Sequence, residues 1–351
     1  MTPSETPGYR LRQQRTVLGL TQVELAARAG VSRTAVTAIE GGRLVPSVAS
    51  ALAIARALGT TVENLFGDGS PTEQADVWAW PSTLNSESCW RADVAGRTVL
   101  YPASTTPMLA MLPDRHAKGA RLSDVVKAND TLVMACCDPA AGILASQFAA
   151  ATGLRLIVLP RSSRQAVEML RDRLVHLAGL HLATQEEPDG NSRLIRHALG
   201  TGFQSVRLAW WKEGVVFNRS AGFRSVVGMM KTKLRWIGRE AGSGARQCLD
   251  RILDKRSGPR HIAFDHRGVV EAVRTGWADA GICIQLAGAE AGLSFLPVQN
   301  EAFDVCFPSE LADDHRLKAF INVVRSAAYR KLISDLPGYD TCETGEIWNG
   351  K

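Results

Sequence analysis

The sequence predicts a multidomain protein in which an all-α domain of five helices precedes a two-lobed α/β domain. Three observations support this fold class. A chain of 351 residues is long enough for two or three domains. Up to residue 66, helix caps and turn glycines bound short segments whose apolar residues recur at helical spacing. From residue 90 onward, short apolar runs alternate with helical segments, which is typical of an open α/β sheet. We place the domains at 1–68 and 90–351, with a linker at 69–89.

Residues 21–43 predict two short helices joined by a tight turn. Thr21 and Glu24 form a capping box at the start of the first helix, and Gly30 supplies the left-handed residue that ends it. Ser32 caps the second helix. A turn of about three residues makes the two helices cross steeply, which leaves the second helix free to enter a DNA major groove. This stretch therefore indicates a helix-turn-helix.

The second of these helices has one apolar and one polar side. Val36 and Ile39 lie on the apolar side, whereas Arg33, Thr34 and Thr37 offer a guanidinium, hydroxyls and methyl groups. Such groups recognise base edges, so these three residues are predicted to contact bases. Periodicity alone leaves a second interpretation, an ordinary helical hairpin with a solvated polar face.

Residues 9–66 resemble the Xre and lambda-repressor family of helix-turn-helix domains, through LRQQRTVLGLTQVELAARAGVS, IEGGRLVPS and ALAIARALGTTVENLF. The resemblance implies five helices and a pair between Arg15 and Glu40. It also implies that Gln22 and Ser32 lie near phosphates, and that the three residues of the polar side reach base edges. Double-stranded operator DNA is the partner that this domain predicts.

The charge of the chain is only mildly basic. The formal net charge is +6, and residues 1–69 contain seven Arg and Lys against five Asp and Glu. DNA affinity is therefore expected from a local patch and not from a basic tail. That patch comprises Arg10, Arg12, Arg15, Arg33 and Arg43, of which Arg33 and Arg43 are predicted DNA contacts.

The sequence predicts a cytoplasmic protein without membrane contact. The sequence shows no signal peptide and no run of 18 uninterrupted apolar residues. Seven cysteines occur without CxxC or zinc-finger spacing, which predicts free thiols. The vicinal pair Cys136–Cys137 could bind a soft metal or metalloid. Both residues end an apolar strand, however, so we expect neither a metal nor a cofactor.

Between residues 98 and 182 the second domain begins with two strand patterns, which helix, strand, helix and strand patterns follow. The run TLVMACC at 131–137 is apolar on both faces, as in a parallel strand covered by helices. The segment 205–220 predicts two strand-like halves around Lys212–Glu213–Gly214, and a second α/β set follows. The tail is expected to return to the first lobe, so that the chain crosses between lobes twice. Ligands in such folds lie in the cleft at the carboxyl ends of strands.

Three junctions between a strand and a helix are predicted to line this cleft. At the first, Asp138 is expected to cap a helix that begins at Pro139, an arrangement that needs no ligand. The second, GREAGSGARQCLD at 238–250, combines exposed Gly amides with a Ser and two Arg, which favours an anion, although a plain loop-to-helix junction is the alternative. The third contributes His181, Asp265 and His266, and such histidines are more often structural. The predicted ligand-binding residues are Cys137, Asp138, His181, Arg239, Ser243, Gly244, Ala245 and Arg246.

Residues 90–346 resemble the periplasmic-binding-protein-like domain found in bacterial regulators and fused to some molybdenum-cofactor biosynthesis proteins. The resemblance rests on CCDPAAGILA, VHLAGLHL, GREAGSGARQCLD and AVRTGWADAGICI. It implies a type 2 solute-binding fold related to molybdate and tungstate receptors. Those receptors use hydroxyls and neutral amides where this chain has Cys137 and Asp138. An ionised Asp138 facing the cleft would repel an oxyanion by several kcal/mol. Either Asp138 caps its own helix and faces away, or the ligand is not a simple oxyanion.

Together these features predict a one-component transcription regulator and not an enzyme. A homodimer is expected to bind operator DNA and to respond to a small-molecule or oxyanion effector. Ser243 lacks the sequence context of a nucleophile elbow, and GSGARQ lacks the last Gly or Ala of the dinucleotide fingerprint. The alternatives are an enzyme of cofactor metabolism tethered to DNA, and a constitutive DNA-binding scaffold without a ligand response.

Overall fold

The computed structural model describes residues 7–66, 76–81, 88–103, 114, 128–254 and 258–349. The chain divides into two compact units, Met1–Asp76 and Val77–Lys351. The second unit thus begins inside the segment predicted as a linker, of which 69–75 and 82–87 lie outside the described residues. No helix in the described ranges is long and apolar enough to cross a membrane.

The first unit contains the five predicted helices. They are α1 (Pro7–Val17), α2 (Gln22–Ala29), α3 (Arg33–Glu40), α4 (Val48–Ala57) and α5 (Val62–Phe66). The predicted boundary signals are confirmed: the capping box of Thr21 and Glu24 forms in both directions, and Gly30 adopts a left-handed φ of 62°. The Ser32 hydroxyl accepts the N–H of Ala35 at the start of α3.

The core of the first unit is built from one apolar side of each of its four longer helices. Leu11, Leu25, Val36 and Ile54 are completely buried there. Leu18, in contrast, is 48% exposed. Helix α1 ends at Val17, so Leu18 lies in the following turn and no longer shares the buried side of the helix.

The second unit is an α/β domain with two sheets. Its strands are β1 (Val77–Trp78), β2 (Cys89–Val94), β3 (Arg97–Pro102), β4 (Thr131–Cys136), β5 (Arg155–Pro160), β6 (Leu177–Thr184), β7 (Phe203–Phe217), β8 (Trp236–Arg239), β9 (His261–Ala263), β10 (Ala280–Ile284), β11 (Ser294–Pro308), β12 (Tyr339–Asp340) and β13 (Ile347–Asn349). Its helices are α6 (Ala141–Thr152), α7 (Ser163–Arg171), α8 (Gly190–Leu199), α9 (Val226–Met230), α10 (Gly244–Leu253), α11 (His266–Arg274), α12 (Gln285–Glu290), α13 (His315–Arg325) and α14 (Ala327–Ser334).

The larger sheet joins the two lobes. Its strand order is β5-β4-β6-β11-β7-β10-β8-β9, with β12 and β13 also paired to β7. We call the part around β4–β6 and α6–α8 the first lobe, and the part around β8–β10 and α9–α12 the second lobe. As its apolar sequence predicts, β4 is buried along its whole length and pairs in parallel with β5 and β6. The smaller sheet, β1-β3-β2, contributes buried residues to the core of the first lobe.

Two 15-residue strands, β7 and β11, form the crossings between the lobes. They pair antiparallel along their length, while β6 joins one end of the pair and β10 the other. The sequence predicts two half-strands here, but the structure shows one continuous β7. Gly214 does not mark a turn. A Cβ at this position would lie 2.2 Å from the carbonyl oxygen of Leu296, so glycine permits the close approach of the two strands.

A buried imidazole fastens the smaller sheet to the first lobe. His176 Nδ1 accepts the N–H of Val133 at 3.0 Å, and its Nε2 donates to the carbonyl of Asp93 at 2.6 Å. Both bonds require a neutral ring. Burial, and then the positive charge of Arg316, lower the pKa of His176 to about 4.

This pKa predicts acid sensitivity of the second unit. The unfolded chain protonates His176 near pH 6.5, whereas the folded protein does so near pH 4. The stabilisation is therefore complete above pH 6.5 and is lost as the pH falls towards 4, by about 3 kcal/mol in all. In His176→Asn the pH dependence of the free energy of unfolding between pH 6.5 and 4 should be weaker by this amount.

Urea unfolding followed by tryptophan fluorescence measures this effect, because all eight tryptophans lie beyond residue 76 and report on the second unit. The exposed His315 provides the control His315→Asn, which should keep the pH dependence of the parent protein. An unaltered slope in His176→Asn would contradict the assignment.

Candidate functional sites

The first candidate site is the polar side of α3. Arg33 and Thr34 are exposed there, and Arg43 is exposed in the loop that follows. The opposite side of the helix is anchored by Val36 and Ile39, which are buried. Helix α3 therefore presents a guanidinium and a hydroxyl to solvent on a support that the core holds in place.

A hydrogen-bond network fixes α3 against α1 and α2. Arg15 donates through Nε and Nη2 to the Glu40 carboxylate, at 2.6 and 3.1 Å. Gln22 donates to the same carboxylate at 2.8 Å, and its amide oxygen accepts the Thr37 hydroxyl at 3.1 Å. The pair between Arg15 and Glu40 that the resemblance implies is thus confirmed. Thr37 differs from Arg33 because its hydroxyl already has partners within the domain.

The second candidate site is a buried polar cluster where the two lobes meet. Cys137 directly follows β4, and its Sγ lies 3.0 Å from Nε2 of His181 on β6. His181 Nδ1 lies 2.8 Å from the carboxylate of Glu301 on β11. His181 and Glu301 are buried, whereas Cys137 is half-buried. The fold thereby aligns a thiol, an imidazole and a carboxylate that are 44 and 120 residues apart in sequence.

The second lobe adds two side chains with unused polar atoms. Arg239, at the end of β8, is buried and donates through Nε and Nη2 to Glu240, which leaves Nη1 without a partner. His266, the first residue of α11, is buried, and neither of its ring nitrogens has a partner. The rings of His181 and His266 lie 6.2 Å apart between centroids. Buried polar groups without partners are rare and mark this cluster as a site.

The two histidines of the cluster have pKa values that are shifted in opposite directions. Burial alone lowers the pKa of His181, but the neighbouring Cys137 and Glu301 raise it well above its ordinary value. Burial lowers the pKa of His266 far below its ordinary value, and the charges of Arg239 and His181 lower it further. One imidazole is therefore cationic and the other neutral. A site whose neighbouring groups shift the pKa values of two like residues in opposite directions is a functional candidate.

Carboxyl groups on the crossing strands complete the cluster. Gln299 donates from its amide to Glu213 at 3.0 Å and to Glu301 at 2.7 Å, and Trp211 donates to Glu301 at 3.1 Å. Burial, followed by the charge of Glu301, raises the pKa of Glu213, which keeps it neutral beside the ionised partner. Neither Glu213 nor Glu301 was predicted as a site residue, because the sequence places Glu213 between two half-strands and shows no local pattern around Glu301.

The structure brings Cys137, His181, Arg239 and Gly244 together, but it does not form the expected anion cradle. A Cβ on Gly244 would lie 2.7 Å from Nδ1 of His181, so the imidazole already occupies the space before α10. The Ser243 hydroxyl is used in capping, because it accepts the N–H of Arg246 and donates to the Glu240 carbonyl.

Two further predicted residues direct their side chains to other partners. The Arg246 guanidinium donates from Nε to Asp250, one turn along α10, and from Nη1 to the backbone carbonyl of Arg239 at 3.4 Å. The side chain of Ala245 packs in the apolar core of the second lobe.

Asp138 does not cap α6 as predicted. The helix begins at Ala141, two residues late, and its N-cap Ala140 has no side-chain bond. The Asp138 carboxylate instead accepts the N–H of Ala140 and the hydroxyl of Tyr339. Burial raises the pKa of Asp138 to about 6. Its bonds fasten the C-terminal segment to the loop after β4, which favours the alternative in which Asp138 does not face a ligand.

A cavity of about 900 Å³ lies elsewhere in the second lobe. Phe264 and Trp277 line it and are 88% and 76% exposed. Its walls are open to solvent, whereas the polar groups of the cluster converge away from water. We therefore take the cluster as the candidate ligand site.

Comparison with known proteins identifies both units. Residues 145–325 match the PBP superfamily domain, and residues 8–65 match a helix-turn-helix domain. An HTH-type transcriptional regulator of Methanothermobacter thermautotrophicus is 51% identical over 57 residues, which are 16% of this chain and 83% of the relative. The protein YvgK of Bacillus subtilis is 29% identical over 182 residues, or 49% of this chain.

These similarities cover the two units separately. The chain spans 58% of the length of YvgK. Among solved structures, the tungstate ABC transporter of Geobacter sulfurreducens matches 60% of this chain and 100% of its own, with 13% identity and a TM-score of 0.46.

The contact between Gly244 and His181 gives a test of the cluster. Gly244→Ala places a methyl group within 3.0 Å of three His181 atoms, including the backbone oxygen, which cannot rotate away. We expect a loss of about 1–3 kcal/mol in the free energy of unfolding of the second unit and faster alkylation of Cys137. Gly142→Ala is the matched control, since beyond its chain neighbours and the backbone of its own helix no described atom lies within 4 Å of its Cβ position in α6. Equal behaviour of the two variants would disprove the close contact.

Proposed function

This chain belongs to the PBP superfamily and carries the helix-turn-helix domain of HTH-type transcriptional regulators, and on that basis we propose that it is a one-component regulator whose DNA binding responds to a small ligand. One observation carries the ligand response. The buried cluster takes Cys137 and His181 from the first lobe, Arg239 and His266 from the second, and Glu301 from a crossing strand. A ligand bound there acts directly on the closure of the lobes.

The proposed mechanism is a shift between two states of the second unit. A ligand that touches both lobes binds the closed state more tightly than the open one, because opening separates its contacts. The crossing strands β7 and β11 are the elements that must bend, since they are the strands that run through both lobes. The ligand contributes to the regulation of DNA binding through the difference between its binding free energies for the two states.

For the DNA side we propose that α3 enters the major groove of an operator. Arg33 and Thr34 contact bases, with the methyl group of Thr37 beside them, while Gln22, Ser32 and Arg43 lie near phosphates. The exposure of Arg33 and Arg43 and the rigid support from Glu40 favour this assignment. Action on DNA places the protein in the cytoplasm.

A second candidate function is suggested by the alignment of Cys137, His181 and Glu301. A thiol, an imidazole and a carboxylate in this order can activate a sulfur nucleophile, as in enzymes that form covalent intermediates. Incubation with an activated ester separates the two proposals. Steady release of product that requires Cys137 supports an enzyme, whereas a single modification without turnover supports the regulator.

We predict that Arg33→Ala weakens specific DNA binding by about 1–3 kcal/mol, or roughly 5–150-fold, because it removes a guanidinium from base edges. Duplexes enriched from a random pool by the full-length protein provide the probe, and fluorescence anisotropy at fixed salt gives the affinity. Arg56→Ala, an exposed arginine on α4, is the control. If the protein enriches no sequence, the proposed function fails. An equal loss on specific and random DNA would make Arg33 a phosphate contact.

We also predict that two chains bind one enriched duplex. A single α3 makes few base contacts, and two half-sites about 34 Å apart double them. Sedimentation of the complex measures the stoichiometry, and the enriched sequence should be a palindrome with half-sites about one helical turn apart. One chain per duplex together with an asymmetric sequence would contradict the homodimer.

A further inference from the structure

The interlobe cluster contains a set of donor atoms that its internal hydrogen bonds do not explain. The Sγ of Cys137 and ring nitrogens of His181 and His266 lie within 4.8 Å of one another. We propose that these three side chains bind one divalent d-block metal ion of the Zn²⁺ type. We further propose that this ion is the effector, and this second statement rests on the regulatory function proposed above.

The distances fit a compact metal site. Bonds of about 2.3 Å to sulfur and 2.0–2.1 Å to nitrogen place the donor atoms of a tetrahedral zinc site about 3.4–3.6 Å apart. The observed separation of 3.0 Å between Cys137 Sγ and His181 Nε2 must widen by about half an ångström. The separations to His266, at most 4.8 Å, must shrink. Side-chain rotation and a small closure of the lobes suffice for both changes.

His181 is oriented as metal-binding histidines usually are. Its Nδ1 donates to the Glu301 carboxylate, and once a metal ion displaces the proton on Nε2, the lone pair of that nitrogen is available on the side of Cys137. Such a carboxylate fixes the ring and strengthens the basicity of the coordinating nitrogen. Glu301 is in turn held by Trp211 and Gln299, so the support reaches into the crossing strands.

His266 is the observation that a purely structural cluster does not explain. Its ring is buried, and both nitrogens lack a partner. A buried imidazole without hydrogen bonds is costly, and a metal ion would satisfy one of its nitrogens.

The donor set and its charge select the class of ion. A thiolate with two imidazoles suits zinc and its first-row neighbours, whereas magnesium and calcium prefer oxygen. A Cys137 thiolate and the Glu301 carboxylate carry two negative charges, which one divalent cation balances. Arg239 does not upset this balance, because Glu240 neutralises it. Its unpartnered Nη1 remains as a hydrogen-bond donor beside the site for a water or an anion on the metal.

The position of the donors explains how an ion would regulate. Cys137 and His181 belong to the first lobe, and His266 belongs to the second, so one ion ties the lobes together. Because coordination requires all three side chains at once, binding favours the closed state of the second unit. The ion thus supplies the difference in affinity between states that the proposed mechanism requires.

Metal binding is tested on the reduced, chelator-treated, full-length protein. Zn²⁺ is titrated in competition with a chromophoric chelator, and Co²⁺ is titrated separately to detect a thiolate-to-cobalt charge-transfer band. We expect one ion per chain. Cys137→Ser and His266→Gln should each lower the affinity by about 100-fold or more, and Glu301→Gln by roughly 10–100-fold. The controls Cys342→Ser and His315→Gln remove an exposed thiol and an exposed imidazole and should bind like the parent protein.

Two results would overturn the site. One is that Zn²⁺ does not bind to the reduced protein, although circular dichroism shows that the protein is folded. The other is unchanged affinity in whichever of the Cys137→Ser and His266→Gln variants folds. A cobalt complex without the thiolate band would equally exclude Cys137 as a ligand.

The regulatory claim is tested with the enriched duplex. Zn²⁺ should change its affinity for the parent protein and leave that of Cys137→Ser unchanged. If Zn²⁺ binds the cluster but DNA affinity stays constant, the ion is not the effector. If Zn²⁺ does not bind while molybdate or another oxyanion changes DNA affinity, the metal inference fails and the proposed function stands. A response to oxidation of Cys137 without metal binding would likewise replace the metal by a thiol switch.

Discussion

The antiparallel pairing of β7 and β11 is the interaction on which the second unit depends. These strands are continuous through both lobes, and each carries part of the cluster: Glu213 and Trp211 on β7, Gln299 and Glu301 on β11. A change in the angle between the lobes must therefore be absorbed by strands that also hold the buried carboxyl groups. Because the same strands connect the lobes and carry these carboxyl groups, a movement of the lobes changes the electrostatics of the site.

The cluster concentrates buried charge at the point where the two lobes touch. Burying an uncompensated charge costs several kcal/mol, so the His181 imidazole between Cys137 and Glu301 is essential to this arrangement. His266 and Nη1 of Arg239 remain without partners on the side of the second lobe. The first lobe is thus internally satisfied, whereas the second lobe presents unused donor and acceptor atoms. This asymmetry is why we assign the ligand to the contact between them.

The first unit shows the same use of one carboxylate to hold several elements. Glu40 ends α3 and accepts from Arg15 of α1 and Gln22 of α2. The three helices are fixed by charge-assisted bonds as well as by their apolar core, which leaves Arg33 and Thr34 exposed on a rigid support. A surface that is organised in advance loses less entropy when it binds.

The sequence alone determined the helix-turn-helix, because caps, turn glycines and apolar spacing act within a few residues of one another. It also determined the α/β class, since apolar runs such as β4 report burial directly. Tertiary structure decided the site. Cys137, His181, His266 and Glu301 are brought together by the tertiary fold although 164 residues separate the first from the last, and no local pattern encodes that distance. The sequence predicts two half-strands around Gly214. The structure shows instead that β11 approaches too closely for a side chain at this position. Arg246 matched the composition of an anion site, but its guanidinium is paired with Asp250 on the same helix.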